Sequence, residues 1–164
     1  MSKRFDLTGK VVLVTGASSG LGVHFARTLA AEGAAVAIAA RRADRLASLQ
    51  AELKAAGAKA VAVDLDVQSA DSITSAFDKI EAALGPVDVA INNAGISIVK
   101  PALDMPIEDW DSVVSTNLRG AWLVSQTAGK RWVAARRPGA IVNIASILGL
   151  RTIGQVAPYN ASKA

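Results

Sequence analysis

Short apolar runs alternate with longer amphipathic segments along most of this chain. The runs predict buried strands at Lys10–Thr15, Ala35–Ala40, Ala60–Asp64, Val87–Ile91 and Ala140–Ile144. The amphipathic segments have apolar residues at helical spacing and predict helices at Leu21–Ala31, Ala43–Ala55, Ala70–Leu84 and Ile107–Arg136. Strict alternation of strand and helix predicts an α/β fold with a parallel sheet, right-handed connections and helices on both faces.

Residues that start and end helices lie where this pattern requires them. Gly33, Gly57 and Gly85 follow three of the predicted helices as C-terminal stops. Ser69 and Asp71 are suited to capping the start of the third helix. The chain shows no repeat and no linker, so we expect one domain over residues 1–164.

The segment Ile107–Arg136 is long for one helix and contains Gly120 and Gly129. It therefore predicts two helical segments or a bend near Asn117. Val99–Pro106 is the least regular stretch, and we expect it to form an excursion at the edge of the sheet.

The composition supports a buried parallel sheet covered by small helical residues. Hydrophobic residues make up 51 % of the 164 positions, but aromatic residues only 4 %. The sequence has no cysteine, so disulfides and thiolate metal sites are excluded. No apolar run reaches membrane-spanning length, and Met1–Asp6 lacks the apolar region of a signal peptide. We therefore expect a cytoplasmic protein with no membrane partner.

The net charge of +4 does not by itself indicate a nucleic-acid partner. The basic residues are spread along the chain, and no basic stripe is flanked by aromatic residues, so a solvated surface is the favoured interpretation. A basic cluster near the end of the long helical segment complements the helix dipole or forms an oligomer contact; its members are Lys130, Arg131, Arg136 and Arg137.

A glycine-rich loop, Thr15–Gly22, follows the first strand and opens the first helix. Gly16 permits the tight turn, Gly20 lets a phosphate approach the backbone, and Gly22 lets the helix pack closely. Free N–H groups at the helix start attract a pyrophosphate, so the placement predicts a Rossmann-type dinucleotide-binding fold; the alternative is a purely structural turn. The residues predicted to bind the cofactor here are Gly16, Ser18, Ser19, Gly20, Leu21 and Gly22.

The end of the second strand predicts which dinucleotide is bound. An acidic residue there would bind the ribose hydroxyls, but this chain has Ala40 followed by Arg41 and Arg42. Two guanidinium groups suit a 2′-phosphate, so we expect NADP(H) to be preferred, with NAD(H) as a possible second cofactor. The alternative is that both arginines are simply an exposed helix start.

Two further strand ends carry candidate cofactor residues. Asp66 could accept a hydrogen bond from the adenine amino group, with Val67 beside the ring; the alternative is a capping or solvated carboxylate. The sequence Asn-Asn-Ala-Gly ends the fourth strand at the edge where open α/β sheets bind ligands. Its asparagines are expected to tie neighbouring strands together, and the cofactor contacts are predicted at Asn93, Ala94 and Gly95.

Tyr159 and Lys163 share one helical face, and Ser146 follows the fifth strand. A neighbouring ammonium favours the ionised phenol, and a serine hydroxyl can hold a carbonyl oxygen, so the set predicts acid/base chemistry at a carbonyl or alcohol. A solvated helix face is the alternative for Tyr159 and Lys163 taken alone. The sole histidine, His24, is expected on the first helix in a surface or packing role, and no metal site is expected.

These motifs together resemble the short-chain dehydrogenase/reductase family. Thr15–Gly22, Asn92–Gly95 and the set of Ser146, Tyr159 and Lys163 match its patterns in the right order, and Asn117 resembles its helix asparagine. Within the family the chain is similar to 3-oxoacyl-carrier-protein reductases and to sugar and alcohol dehydrogenases.

The resemblance implies hydride transfer between NADP(H) and a ketone or secondary alcohol. It implies that Tyr159 is the general acid/base, that Ser146 binds the substrate oxygen and that Lys163 lowers the pKa of Tyr159. Tyr159 and Lys163 would also contact the cofactor, at the nicotinamide ribose. Asn117 would bend its helix and position a water that links Lys163 to solvent.

Family members are longer and commonly homotetramers, so the resemblance implies that the C-terminal strands are missing here. We therefore expect that the segment 159–164 cannot hold a helix alone and that strand 140–144 is an exposed edge. Two other hypotheses stay open, namely a dinucleotide-binding chain without catalysis and an interaction protein that keeps the motifs as a scaffold.

Overall fold

A computed structural model describes residues 5–164; the first four residues of the N-terminal segment considered above lie outside the described part. Within these described residues, five parallel strands form one sheet with the order β3-β2-β1-β4-β5. The strands are β1 (Val11–Thr15), β2 (Ala35–Ala40), β3 (Ala60–Asp64), β4 (Val89–Asn92) and β5 (Ala140–Asn143). The strand order reverses direction between β1 and β4, which is the pattern of a doubly wound sheet.

In residues 5–164, six α-helices connect or follow the strands. They are α1 (Gly20–Ala31), α2 (Ala43–Ala55), α3 (Ala70–Leu84), α4 (Ile107–Val114), α5 (Ala121–Ala134) and α6 (Ala157–Lys163). A π-helical segment, Ser115–Gly120, lies between α4 and α5, and short 3₁₀ turns cover Ala102–Asp104 and Ile147–Gly149. The predicted division of the long segment near Asn117 is confirmed, because the π-helical segment contains that residue.

Each face of the sheet has its own apolar layer. On one face, the strand residues pack against α3 and α5 through Phe77, Ile80 and Val124. On the other face, they pack against α1 and α2 through Ala26 and Leu46. Helices therefore cover both faces, and the predicted α/β doubly wound architecture is confirmed.

The helix ends follow the predicted signals. Gly33 and Gly57 lie two residues beyond the ends of α1 and α2, Gly85 directly follows the end of α3, and all three have positive φ. The Ser69 hydroxyl accepts the Ser72 N–H at 3.2 Å, so Ser69 caps the start of α3. His24 lies exposed on α1 beside Phe25, as expected.

The prediction that β5 is buried was wrong, whereas the prediction of an exposed edge is confirmed. β5 pairs only with β4 among the described strands, and all four of its residues are exposed. Ile141 and Val142 are 40 % and 43 % exposed, because no element in the described range lies beyond them. None of the helices in residues 5–164 is long and apolar enough to span a membrane.

Candidate active site

The carboxyl ends of four strands surround a cleft of about 560 Å³, which we call the carboxyl-edge cleft. Its lining comes from the loop after β1, the ends of β2 and β3, the loop after β4 and the π-helical segment. The lining residues are Gly16, Ser18, Ser19, Leu21, Ala40, Arg41, Arg42, Leu65, Asp66, Val67, Gln68, Asn93, Ala94, Gly95, Ile96 and Thr116. The fold therefore brings most of the predicted cofactor residues to one place, and this is the edge at which open α/β sheets bind ligands.

The glycine loop is closely packed at two of its three glycines. Gly16 has φ 67°, and a Cβ there would lie 2.8 Å from Ala94 Cα. A Cβ on Gly22 would lie 2.8 Å from both Ala17 Cα and Asn93 Nδ2 and would overlap the Gly16 carbonyl oxygen. Gly20 has φ 55° and faces open space. Gly22 thus lets α1 pack against its own loop and Asn93, and Gly20 leaves room beside the backbone.

The N-terminus of α1 is suited to bind an anion. Ser19 is its N-cap in an extended conformation, but its side chain makes no capping hydrogen bond. The N–H groups of the first turn have no helical partner, and the helix dipole adds partial positive charge. This loop therefore fits the pyrophosphate of a dinucleotide, with Ser18–Gly22 as the residues that would hold it.

Arg41 and Arg42 both line the carboxyl-edge cleft but differ in their contacts. Arg42 donates from Nε and Nη2 to Ser18 Oγ at 3.0 and 2.8 Å, and from Nη2 to Ser19 Oγ at 2.8 Å. Arg41 is exposed, and within residues 5–164 its side chain has no hydrogen bond or ion pair. The two residues that follow β2 are therefore both cationic.

Asp66 and Val67 lie in the cleft and also hold the local backbone. Asp66 Oδ1 accepts the Gln68 N–H at 3.0 Å, which stabilises the turn before α3. Val67 packs on the π-helical segment so closely that a Cβ on Gly120 would lie 2.8 Å from its Cγ2. Asp66 thus stabilises this turn without capping α3, whose N-cap is Ser69, and its Oδ2 has no partner within residues 5–164, which leaves the adenine contact open.

The two asparagines at the end of β4, Asn92 in the strand and Asn93 after it, tie neighbouring strands together, as predicted. Asn93 Nδ2 donates to the Thr15 carbonyl at 2.9 Å, which connects β4 to β1. Asn92 Nδ2 donates to Asn143 Oδ1 at 2.8 Å, which connects β4 to β5. Thr15 Oγ1 completes this corner by accepting the N–H groups of Asn93 and Ala94 at 3.1 and 3.0 Å.

The structure adds residues that sequence reasoning did not single out for the site. Thr15 was noted only as the start of the glycine loop, although its buried hydroxyl positions the loop after β4. Gln68 and Thr116 line the cleft and bind each other through Nε2 and Oγ1 at 2.9 Å. Neither belongs to a motif, and they are 48 positions apart in the chain, so no local signal identifies them.

Asn117 connects three segments through one buried amide. Its Oδ1 accepts the Ile96 N–H at 2.8 Å, and its Nδ2 donates to the Ile96 carbonyl at 2.9 Å and to Ser162 Oγ at 3.0 Å. The π-helical segment is thereby joined to the loop after β4 and to α6. Asn117 thus reaches the residue next to Lys163 directly.

Helix α6 presents Tyr159 and Lys163 beside the end of β5. Lys163 Nζ lies 5.9 Å from the centre of the Tyr159 ring and donates to the Ile144 carbonyl at 2.7 Å. Burial lowers the pKa of the Lys163 ammonium below its ordinary value of 10.5. In the described part of the chain the Tyr159 hydroxyl makes no hydrogen bond, so it is available to a ligand.

Ser146 lies two residues beyond Ile144, at the start of the 3₁₀ turn. Its hydroxyl accepts the Leu148 N–H at 3.2 Å. The turn packs against α6, since a Cβ on Gly149 would overlap the Lys163 carbonyl oxygen. The short helix α6 is thus not alone: it is held by this packing and by its bonds to Asn117 and Ile144.

Comparison with known proteins assigns this chain to one family. The model of the short chain dehydrogenase family matches residues 10–164. The chain therefore belongs to the short-chain dehydrogenase family.

Relatives with known names agree with this assignment. The chain is 38 % identical to gluconate 5-dehydrogenase of Gluconobacter oxydans over 97 % of its own length and 62 % of the relative. It is 38 % identical to D-threitol dehydrogenase of Mycolicibacterium smegmatis, again over 97 % of its length and 61 % of the relative. The chain thus spans less than two thirds of the length of these relatives.

Solved structures have the same fold. A short-chain type dehydrogenase/reductase from Mycobacterium marinum superposes with a TM-score of 0.92 at 38 % identity, over 97 % of this chain and 63 % of that one. A variant of the actinorhodin polyketide ketoreductase, solved with NADPH, superposes with a TM-score of 0.90 at 39 % identity, over 94 % of this chain and 59 % of that one.

Proposed function

We propose that this protein is an oxidoreductase that transfers hydride between NADP(H) and a ketone or secondary alcohol. The observation that carries the proposal is that three features lie at the same edge of the sheet: the N-terminus of α1, which has no side-chain capping bond, Arg41, which has no side-chain partner within residues 5–164, and the Tyr159–Lys163 pair. Membership of the short-chain dehydrogenase family supports it, because the named relatives are dehydrogenases and reductases.

The preference for NADP(H) rests on charge at the end of β2. Arg41 lines the carboxyl-edge cleft with a guanidinium that has no partner among residues 5–164, and its planar fork of N–H donors matches a phosphate. The fit of the loop to a pyrophosphate and the NADPH in the related ketoreductase structure support the same cofactor class.

The chemistry follows from the residues beside α6. When bound, the nicotinamide supplies or accepts the hydride. In the reducing direction, Tyr159 donates its hydroxyl proton to the substrate oxygen, and in the oxidising direction it accepts that proton. Lys163 stabilises the phenolate by its positive charge, and Ser146 donates a hydrogen bond to the substrate oxygen. Asn117 holds α6, the helix that carries Tyr159 and Lys163, against the loop after β4.

The cofactor assignment is tested by thermal unfolding with NADPH, with NADH and with neither. A ligand present at 100 times its Kd stabilises the folded form by about 2.7 kcal/mol. For a domain of this size that amounts to a rise of roughly 5–10 °C in Tm. We expect the larger rise with NADPH, and Arg41→Asp should remove the preference. A preference for NADPH that survives Arg41→Asp would refute Arg41 as the residue that binds the 2′-phosphate.

The catalytic assignment is tested with Tyr159→Phe against a panel of ketones and secondary alcohols. We expect turnover to be lost while NADPH binding, measured in parallel, stays unchanged. Undiminished turnover in the variant would refute Tyr159 as the acid/base. Binding of NADPH by the unaltered chain without any turnover would favour a nucleotide-binding chain instead.

We also propose a homo-oligomer, the tetramer implied by the family resemblance. Four exposed apolar side chains on α4, the π-helical segment and α5 support it: Ile107, Leu118, Trp122 and Val133. Light scattering at two protein concentrations tests it, and a monomer at both would refute it.

A further inference from the structure

Two adjacent arginines at the end of β2 are in different bonding states. Arg42 makes three hydrogen bonds to Ser18 and Ser19, all between 2.8 and 3.0 Å. Arg41 lines the same cleft, yet its side chain makes no hydrogen bond or ion pair within the described residues, 5–164. We call the contact between Arg42, Ser18 and Ser19 the serine–arginine bridge.

Arg41 and Arg42 differ in how many of their N–H donors are still available to a ligand. A guanidinium has five N–H groups, and Arg42 already uses those of Nε and Nη2. A phosphate that took the same fork would have to displace the serine hydroxyls. Ser18 is only 8 % exposed, so displacement would leave its buried hydroxyl oxygen without this donor. The guanidinium of Arg41 has no partner within residues 5–164, so all of its N–H groups can bind a phosphate without displacing a serine hydroxyl.

The serine–arginine bridge also joins two helix starts. Ser19 is the N-cap of α1, and Arg42 is the N-cap of α2. Beside them, the Ala17 N–H donates to the Ala39 carbonyl at 3.1 Å. The loop between Gly16 and Gly20 is therefore fastened to the end of β2 by both backbone and side chains.

The charge of Arg42 has a second effect at this position. A cation near the N-terminus of a helix opposes the helix dipole and is unfavourable while no anion is near. When an anion is bound, the cation becomes favourable at this position, because the cation and the helix dipole then attract the same group. Arg42 therefore favours any dinucleotide pyrophosphate at this loop, with or without a 2′-phosphate.

We infer that Arg42 is a positioning residue that holds the phosphate-binding loop through Ser18 and Ser19, and that Arg41 alone selects the 2′-phosphate. This inference rests on the proposed function, since it requires that the loop binds a dinucleotide. It divides between two neighbours a role that the sequence assigns to both.

The test measures equilibrium Kd values for NADPH and NADH by calorimetry. Arg42→Ala should weaken both nucleotides to a similar extent, by roughly tenfold, the effect of losing one hydrogen bond to a charged group. Arg41→Ala should weaken NADPH by a similar factor and leave NADH unchanged. Arg45→Ala is the matched control: Arg45 is exposed on α2 with no side-chain partner in the described range, so both Kd values should stay the same.

A second pair of variants keeps the test valid if Arg42→Ala unfolds the chain. Ser18→Ala removes the principal acceptor but leaves both guanidiniums, and it should also weaken both nucleotides. In the Ser18→Ala variant, Arg42→Ala should raise the two Kd values by a smaller factor than it does in the unaltered chain, because the two residues act through one contact.

The outcomes are distinguishable. If Arg42→Ala weakened the binding of NADPH but not that of NADH, Arg42 would be a second residue that binds the 2′-phosphate, and the inference would be overturned. Unchanged affinity for both nucleotides, or full additivity with Ser18→Ala, would overturn it as well. An unaltered chain that binds neither NADPH nor NADH would refute the proposed function itself.

Discussion

Gly22→Ala tests the packing of the glycine loop without reference to any ligand. Helix α1 begins at Gly20, so Gly22 lies in its first turn. A Cβ there would lie 2.8 Å from Ala17 Cα and from Asn93 Nδ2 and would overlap the Gly16 carbonyl oxygen. Two of these three neighbours are backbone atoms, which move only if the whole loop moves.

Two opposing effects decide the sign of this substitution. Alanine in a helix interior is favoured over glycine by about 1 kcal/mol, and by less in a first turn. Overpacking of a closely packed site costs about 1–3 kcal/mol. Because the neighbours cannot move cheaply, the steric cost wins, and we expect a net loss of about 1–2 kcal/mol. That corresponds to a fall of roughly 2–8 °C in Tm for a chain of this size.

Gly129→Ala is the matched control, because the same methyl group meets open space there. Gly129 lies within α5, and a Cβ on it would have no neighbour within 4 Å. Only the helix propensity remains, so this variant should gain up to about 1 kcal/mol, or roughly 2–4 °C in Tm. Urea unfolding and thermal unfolding of both variants give the two signs directly. A Gly22→Ala chain as stable as the unaltered one would refute the packing argument.

Two further predictions concern charged groups. Because burial lowers the pKa of Lys163, the unfolded state binds more protons at pH values between that lowered pKa and 10.5. The free energy of unfolding should therefore rise with pH in that window, and Lys163→Met should flatten the rise. If the free energy of unfolding, measured with urea at several pH values, has the same slope against pH in both chains, the prediction is contradicted. Asp88 accepts the Val11 N–H at 2.9 Å and the Arg137 Nη2 at 2.8 Å, so Asp88→Ala should cost about 1–3 kcal/mol. Exposed Asp111 has no side-chain partner in the described range, so Asp111→Ala should change stability by less than about 0.5 kcal/mol, and similar losses in both would count against the role of Asp88.

The order of strands and helices could be predicted because its signal is local. Apolar runs and capping residues determine which segments are strands or helices, and the predicted bounds differ from the observed ones by two residues at most, except where the long helix divides. The largest strand difference is at Val87, which was predicted to start β4. It is buried, but its carbonyl accepts the Trp132 indole N–H at 2.7 Å, and the strand begins at Val89. That donor lies on α5, 45 positions away, and no strand pattern encodes it.

The features that the sequence did not predict depend on tertiary neighbours. Gly120 and Asn117 indicated a bend, but the π-helical form accompanies the contact of Gly120 with Val67 and the bonds of Asn117 to Ile96. Likewise, an apolar strand sequence indicates that β5 favours burial, yet only the neighbouring elements decide whether it is buried. The prediction of a buried strand was therefore reasonable for the residues and wrong for the molecule.

The same distinction applies to the two arginines at the end of β2. From the sequence they are equivalent, since both are arginines that directly follow the second strand of a predicted dinucleotide-binding fold. In the structure, Arg42 is bonded to the loop serines, whereas the Arg41 side chain has no partner in the described part of the chain. A design that reverses cofactor preference by replacing both would therefore also remove the contact that holds the loop, and its weak NADH binding would be misattributed to charge. Replacing Arg41 alone leaves the serine–arginine bridge intact, so the loss of NADPH preference can be separated from the loss of the loop.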